Sequence, residues 1–136
     1  MIRLTRFDDL LTAARAQPTR QRLLLVFATI GLPDDATDRQ RESFAAGRGG
    51  ALTPVMCVDK APEELESFEA LSQEAAKTGR DWSVVFVAAL AGQVDAAPTP
   101  AQIDEAMNRV IDSIGHGRMQ GLMVFDKAGR PLQLAA

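Results

Sequence analysis

The sequence predicts an α/β sandwich: a mixed sheet of four or five strands, with helices packed on it and a C-terminal β-hairpin. Three observations lead there. Residues 22–30 and 82–90 are apolar on both alternating faces and rich in strand formers, as strands covered from two sides are. Segments with apolar residues at helical spacing alternate with the strands. The chain has 136 residues, the length of one ordinary domain, so 1–136 reads as a single core.

The first helix carries Phe7, Leu10, Leu11 and Ala14 on one face, opens with Thr5 and Asp8 as an acidic capping box, and stops at Pro18. Residues 22–30 follow as a central strand. After the loop 31–36, Thr37 and Gln40 form the signature of a capping box that opens a short polar helix ending near Gly47. Residues 51–58 read as a strand whose Pro54 lacks a ladder donor, which places it at a sheet edge or at a bulge. A helix beginning at Pro62 has Leu65, Phe68, Leu71 and Ala75 on one face, with Glu63, Glu64 and Glu66 at its positive end. Beyond the strand at 82–90, a small-residue loop leads to Thr99, Pro100 and Gln102, a capped helix start. That helix buries Ile103, Met107, Val110, Ile111 and Ile114 and stops at Gly115. Residues 121–125, a turn over 126–130 and the stretch 132–134 close the chain as a hairpin. Alternating strands and helices imply crossovers and a sheet that is parallel in its middle. The alternative is an α+β layer in which 22–30 and 51–58 pair antiparallel, because the helix between them is short.

Charge and composition remove several classes of function. Fifteen basic against eighteen acidic residues give a net charge of -3, which argues against a binder of nucleic acid backbones. The longest apolar run, 84–91, is far short of the roughly 18 residues a membrane helix needs, and no signal peptide is visible at the N-terminus. One cysteine can form neither an intramolecular disulfide nor a cysteine-based zinc site, which suits a reducing cytoplasm. The expectation is a cytoplasmic protein with no membrane or nucleic acid partner.

The catalytic inventory is thin: one Cys, one His and no Tyr. Cys57, between Met56 and Val58, reads as a small hydrophobe packed in an apolar strand; as a nucleophile it would pair with His116 as its base or with the electropositive end of a helix. His116, between Gly115 and Gly117, reads as a helix-end residue favoured by the dipole. Gly47-Arg-Gly-Gly50 follows a helix and precedes a strand, the reverse of a phosphate loop, and reads as a helix stop and turn. The chain contains no GxxxxGK[ST], GxGxxG or GxSxG. Asp34, Asp35, Asp59 and Asp95 follow strands, where an open α/β sheet binds ligands, so Asp34, Asp35 and Asp59 with Lys60 form a candidate surface for Mg²⁺ or a small molecule. The same aspartates also suit ordinary turns. No catalytic residue, cofactor or metal ligand is assigned.

The order Phe7-Asp-Asp-Leu-Leu, Arg22-Leu-Leu-Leu-Val-Phe, Leu32-Pro-Asp-Asp-Ala-Thr, Gly49-Gly-Ala-Leu-Thr-Pro-Val-Met-Cys-Val-Asp-Lys60 and Val85-Phe-Val-Ala-Ala-Leu90 resembles a family of small bacterial proteins across nearly the whole chain. Its members commonly carry the label "ribonucleotide reductase subunit alpha". That chemistry takes a radical cysteine, a reducing cysteine pair and, in the aerobic class, tyrosines; one Cys and no Tyr cannot supply it, so no catalytic role is carried over. A second resemblance, through Pro54-Val-Met-Cys-Val-Asp-Lys-Ala-Pro-Glu-Glu-Leu65, is to the amino-terminal domain of the SseB-type regulators, and implies a non-enzymatic interaction role. The function expected is therefore a small interaction or regulatory module that binds a protein partner or itself, using the Pro54 strand or the terminal hairpin. The alternative is a ligand-binding protein or enzyme using the acidic loops.

Overall fold

The computed structural model describes residues 6–31, 35–45, 51–118 and 121–132. The chain runs α1 (Phe7–Arg15), β1 (Gln21–Gly31), α2 (Asp38–Ala45), β2 (Ala51–Lys60), a 3-10 turn at Pro62–Glu64, α3 (Phe68–Ala76), β3 (Val84–Ala91), α4 (Pro100–Gly115) and β4 (Met123–Asp126). The strands form one sheet in the order β2-β1-β3-β4. This is the four-stranded α/β sandwich read from the sequence, with a correction to strand direction: every pairing is antiparallel, including β1 with β2, as the α+β alternative had it. The βαβ signal was nonetheless real. Both β2 and β3 run antiparallel to β1, so they are parallel to each other, joined through α3, with β1 lying between them.

Strand alternation divides the core into two layers. Leu23, Leu25 and Phe27 of β1, with Val85, Val87 and Phe125, face α1, the 3-10 turn and α3, where Phe7, Leu11, Leu65, Phe68, Leu71 and Trp82 complete the packing. Leu24, Val26 and Ala28, with Val84, Phe86 and Val124, face α4 through Met107, Val110 and Ile114. Residues 23–28 are consequently buried without a break, which explains why β1 is apolar on both faces.

Local chemistry sets the element ends. Thr37 with Gln40 and Thr99 with Gln102 form the two capping boxes the sequence signals, each a reciprocal pair of backbone to side-chain bonds. Two starts differ from expectation. Thr5 lies outside the described residues, and α1 is closed by Asp9, whose carboxylate accepts from the Arg6 N–H at 3.0 Å. The helix expected from Pro62 is broken: after one 3-10 turn the chain extends through Leu65, and α3 starts only where the Ser67 hydroxyl accepts from the Ala70 N–H. The break lets the Asp8 carboxylate accept from the Phe68 N–H at 2.8 Å, so an acid of α1 sits at the positive end of α3. At the C-terminus Asp126 Oδ1 accepts from Ala128 and Arg130, and Gly129 takes a φ of 78° that side-chain-bearing residues rarely adopt. The chain then returns along β4, with a bridge from Phe125 to Pro131 and a bond from the Leu132 N–H to the Val124 carbonyl, the described part of the hairpin read from the sequence. Gln133 and Leu134 of that reading lie outside the described residues, as do Gly47 to Gly50.

Candidate functional site

Antiparallel pairing decides where the acidic candidates go. Asp35 follows the carboxyl end of β1, and Asp34 lies outside the described residues. Asp59 and Lys60 end β2 and pair in register with Leu24 and Leu23, near the amino end of β1. The structure therefore places Asp35 at one end of the sheet and Asp59 with Lys60 at the other. The crevice rule that grouped them holds for parallel strands, whose carboxyl ends lie together. Here β2 and β3 share one carboxyl end and β1 and β4 the other, so Asp95, in the loop after β3, lies at the Asp59 end. Among the described residues no group of three or more His, Cys, Asp or Glu side chains is arranged to hold a metal ion.

At that shared end, Asp59 and Lys60 are already engaged. Arg22 Nε donates to Asp59 at 2.7 Å and Nη1 to Glu64 at 2.8 Å, while the Lys60 ammonium lies 3.0 Å from Glu74. Burial alone would pull the Arg22 guanidinium down, but the hydrogen bond and charge of Asp59, reinforced by Glu64, outweigh it and hold the group above its ordinary value. Glu64 is held below its ordinary value of 4.5, first because its carboxylate accepts from the Ala61 N–H and then because Arg22 and Lys60 are near. A depressed folded pKa stabilises the fold above the unfolded value and loses that contribution as pH falls through the folded one. Glu64→Gln is thus expected to cost a few tenths of a kcal/mol at pH 7, small because the side chain is half exposed, and less at an acid pH where the carboxylate is protonated in both the folded and the unfolded state. Urea denaturation at both pH values measures it; an equal loss at both would assign the effect to packing instead.

Behind this network is a cavity of about 410 Å³ whose wall includes Arg15, Arg20, Arg22, Glu63 and Ala97. Arg15 reaches back to the turn after β2, its Nε donating to the Pro62 carbonyl at 3.3 Å and its Nη2 to the Leu65 carbonyl. None of the three arginines belongs to a motif that marks it as a candidate in the sequence. Their spacing within eight residues, on either side of a helix-stopping proline, was the available signal. A second, more open cleft of about 720 Å³ lies at the other end of the sheet, where Lys127 stands 5.5 Å from the centre of the Trp82 ring and 3.9 Å from Asp81. Trp82 itself is buried against Phe27 and Phe68 and belongs to the core.

Cys57 requires a correction: it is exposed, not packed. Met56 and Val58 pack against the α1 and α3 layer, so alternation turns Cys57 to the α4 side, at the sheet edge, where the layer does not cover it. Its thiol is therefore expected to react with Ellman's reagent in the native protein, within about tenfold of the rate in urea; labelling only after unfolding would contradict this placement. His116 is the C-cap of α4, with Nδ1 2.8 Å from the Asp112 carbonyl oxygen and 3.5 Å from its carboxylate, the helix-end role read from the sequence.

The two sheet edges differ. The outer side of β4 is occupied by the returning chain at Pro131 and Leu132. Among the described residues no strand pairs with the outer side of β2. Pro54 sits on this edge, as its missing donor demands, and it also sits at a bulge: Phe27 pairs with Met56 and Ala28 with Pro54, leaving Val55 as the extra residue. The Arg80 guanidinium donates to the Val55 carbonyl at 2.9 Å, so the edge is blunted at the bulge and open from Cys57 onward.

No protein-family model, curated protein or solved structure matches this chain. No helix among the described residues is long and apolar enough to cross a membrane.

Proposed function

We propose that the protein is a non-catalytic interaction module that takes an extended strand, from a partner protein or a second copy, along the outer edge of β2. The carrying observation is the asymmetry of the sheet, with β4 closed by its own hairpin and β2 without a neighbour among the described residues. Strand addition draws its affinity from main-chain hydrogen bonds and needs no large apolar patch. That suits a surface on which Val94 is the one large hydrophobic residue strongly exposed among those described. The SseB-type resemblance of the Pro54 segment points to the same role. A reducing cytoplasm is the compartment in which an exposed Cys57 would persist as a thiol.

Light scattering and affinity capture from lysate test the reading, with wild type compared against Cys57→Lys. A lysine on an open edge opposes strand addition, whereas the exposed position should hold the change in folding stability within about 0.5 kcal/mol. The expected result is a wild-type mass above 14.7 kDa or a captured protein, lost in the variant. Wild type that is monomeric and captures nothing would overturn the proposal, as would capture unaffected by the lysine.

A further inference from the structure

We propose that the cavity at the shared carboxyl ends of β2 and β3 is a binding site for a small phosphate ester, held by Arg15, Arg20 and Arg22. The three residues line one space of about 410 Å³, large enough for a metabolite-sized ligand, with Glu63 the single acid on its wall among the described residues. The walls come from four parts of the chain: the end of α1, the start of β1, the turn after β2 at Ala61, and the loop after β3 at Ala97. Such convergence is what the crossover through α3 produces, since it returns β2 and β3 to the same end of the sheet.

Two of the guanidiniums are set in place before any ligand arrives. Arg15 is tied to the Pro62 and Leu65 carbonyls, and Arg22 to Asp59 and Glu64. Each of these guanidiniums uses two of its five N–H groups in those bonds, which leaves donors for an anion. Arg20 is different. Its backbone is fixed by the bonds from its N–H to the Gln93 carbonyl and from the Gly92 N–H to its own carbonyl, yet its side chain has no hydrogen bond or ion pair among the described residues. An exposed, uncommitted arginine on a fixed stretch of backbone, beside two pre-positioned ones, is an arrangement for receiving an anion.

The number of donors selects the anion. A phosphate monoester carries close to two charges and three terminal oxygens, each able to accept more than one bond, whereas a carboxylate offers one charge and two oxygens. Arg15 and Arg20, which form no ion pair among the described residues, match the former in charge, and Arg22, already paired with Asp59 and Glu64, adds donors. The carboxyl end of α1 does not oppose it with a bare row of acceptors, because the N–H groups of Ala16 and Gln17 close the carbonyls of Thr12, Ala13 and Ala14.

Calorimetric titration at low salt with a hexose phosphate, inorganic phosphate and citrate tests the proposal. The hexose phosphate is expected to bind, and more weakly as salt rises. Arg20→Ala, which breaks no bond of the fold, should weaken it about ten- to a hundredfold with the thermal midpoint of the free protein unchanged. Glu63→Gln should tighten it. Absence of hexose phosphate binding, or equal binding by wild type and Arg20→Ala, would refute the site; citrate binding more tightly than both phosphates would refute the ligand class. The site lies apart from the outer face of β2, and Cys57→Lys should leave the titration unaltered.

Discussion

Phe7→Ala is expected to lower the unfolding free energy by about 3–5 kcal/mol, out of the roughly 5–15 kcal/mol a domain has in total. Phe7 has no solvent exposure and stands edge-on to two rings at once, with centroids 5.2 Å from both Phe68 and Phe125. It thereby joins three elements, α1, α3 and β4, whose sequence positions are far apart. Truncation removes the ring's burial and both edge contacts, worth roughly 0.5–1.5 kcal/mol each beyond area, and leaves a space bounded by strands that cannot collapse into it. Nine residues are too few to be helical alone, and Leu11 is the helix's other fully buried side chain. Apart from the Asp8 and Arg15 hydrogen bonds and the partly buried Leu10 and Ala14, its docking rests on Phe7 and Leu11. Because Arg15 sits on the last turn of the same helix, undocking α1 should also take one guanidinium from the cavity at the sheet's end. Urea denaturation followed by Trp82 fluorescence reports from within the same apolar layer, and far-UV circular dichroism reports on the helices. A loss below about 1.5 kcal/mol would mean that Phe7 is not the anchor of α1. Val94→Ala, at a side chain largely in solvent, is the control and should change stability by less than about 0.5 kcal/mol.

What the sequence made readable was whatever local chemistry writes. Thr37 with Gln40 and Thr99 with Gln102 mark helix starts because the capping box is made by residues three apart. Pro54 marks an edge strand and a bulge because a missing N–H constrains its own ladder position. The continuous apolar run of β1 marks a strand covered on both faces. Strand direction escaped, since alternating strands and helices look alike whether β1 is the neighbour of β2 by hairpin-like return or by crossover. That one ambiguity moved the candidate site. With Asp35 and Asp59 sent to opposite ends, the acidic loops do not converge, and Arg15, Arg20 and Arg22 do. Cys57 was misread for a related reason: apolar neighbours in sequence fix the burial of the opposite face of an edge strand, and say nothing of its own.

Gly92→Ala is expected to cost about 2–3 kcal/mol, although nothing in the sequence distinguishes this glycine from others in small-residue loops. The constraint is space. A Cβ built at Gly92 would press into the Ala96 carbonyl oxygen and lie 2.8 Å from Pro98 Cδ and 2.9 Å from Pro98 N. None of these is the far end of a flexible side chain. The Ala96 carbonyl accepts from the Gln93 N–H at 2.7 Å, and Pro98 is buried, so relief requires the loop to open and that bond to break. The Gly92 N–H also donates to the Arg20 carbonyl at 2.7 Å, which ties the loop to the start of β1. The substitution should therefore have two effects, lower stability in urea and displacement of Ala97 and Arg20, with hexose phosphate binding weakened alongside. Gly31→Ala separates space from the general cost of changing a strand-end glycine: a Cβ there meets nothing within 4 Å, so stability should change by less than about 0.5 kcal/mol. If the two variants were equally stable, the close approach of the 92–98 loop to Gly92 would be wrong. The cavity wall that Ala97 forms would then be wrong with it.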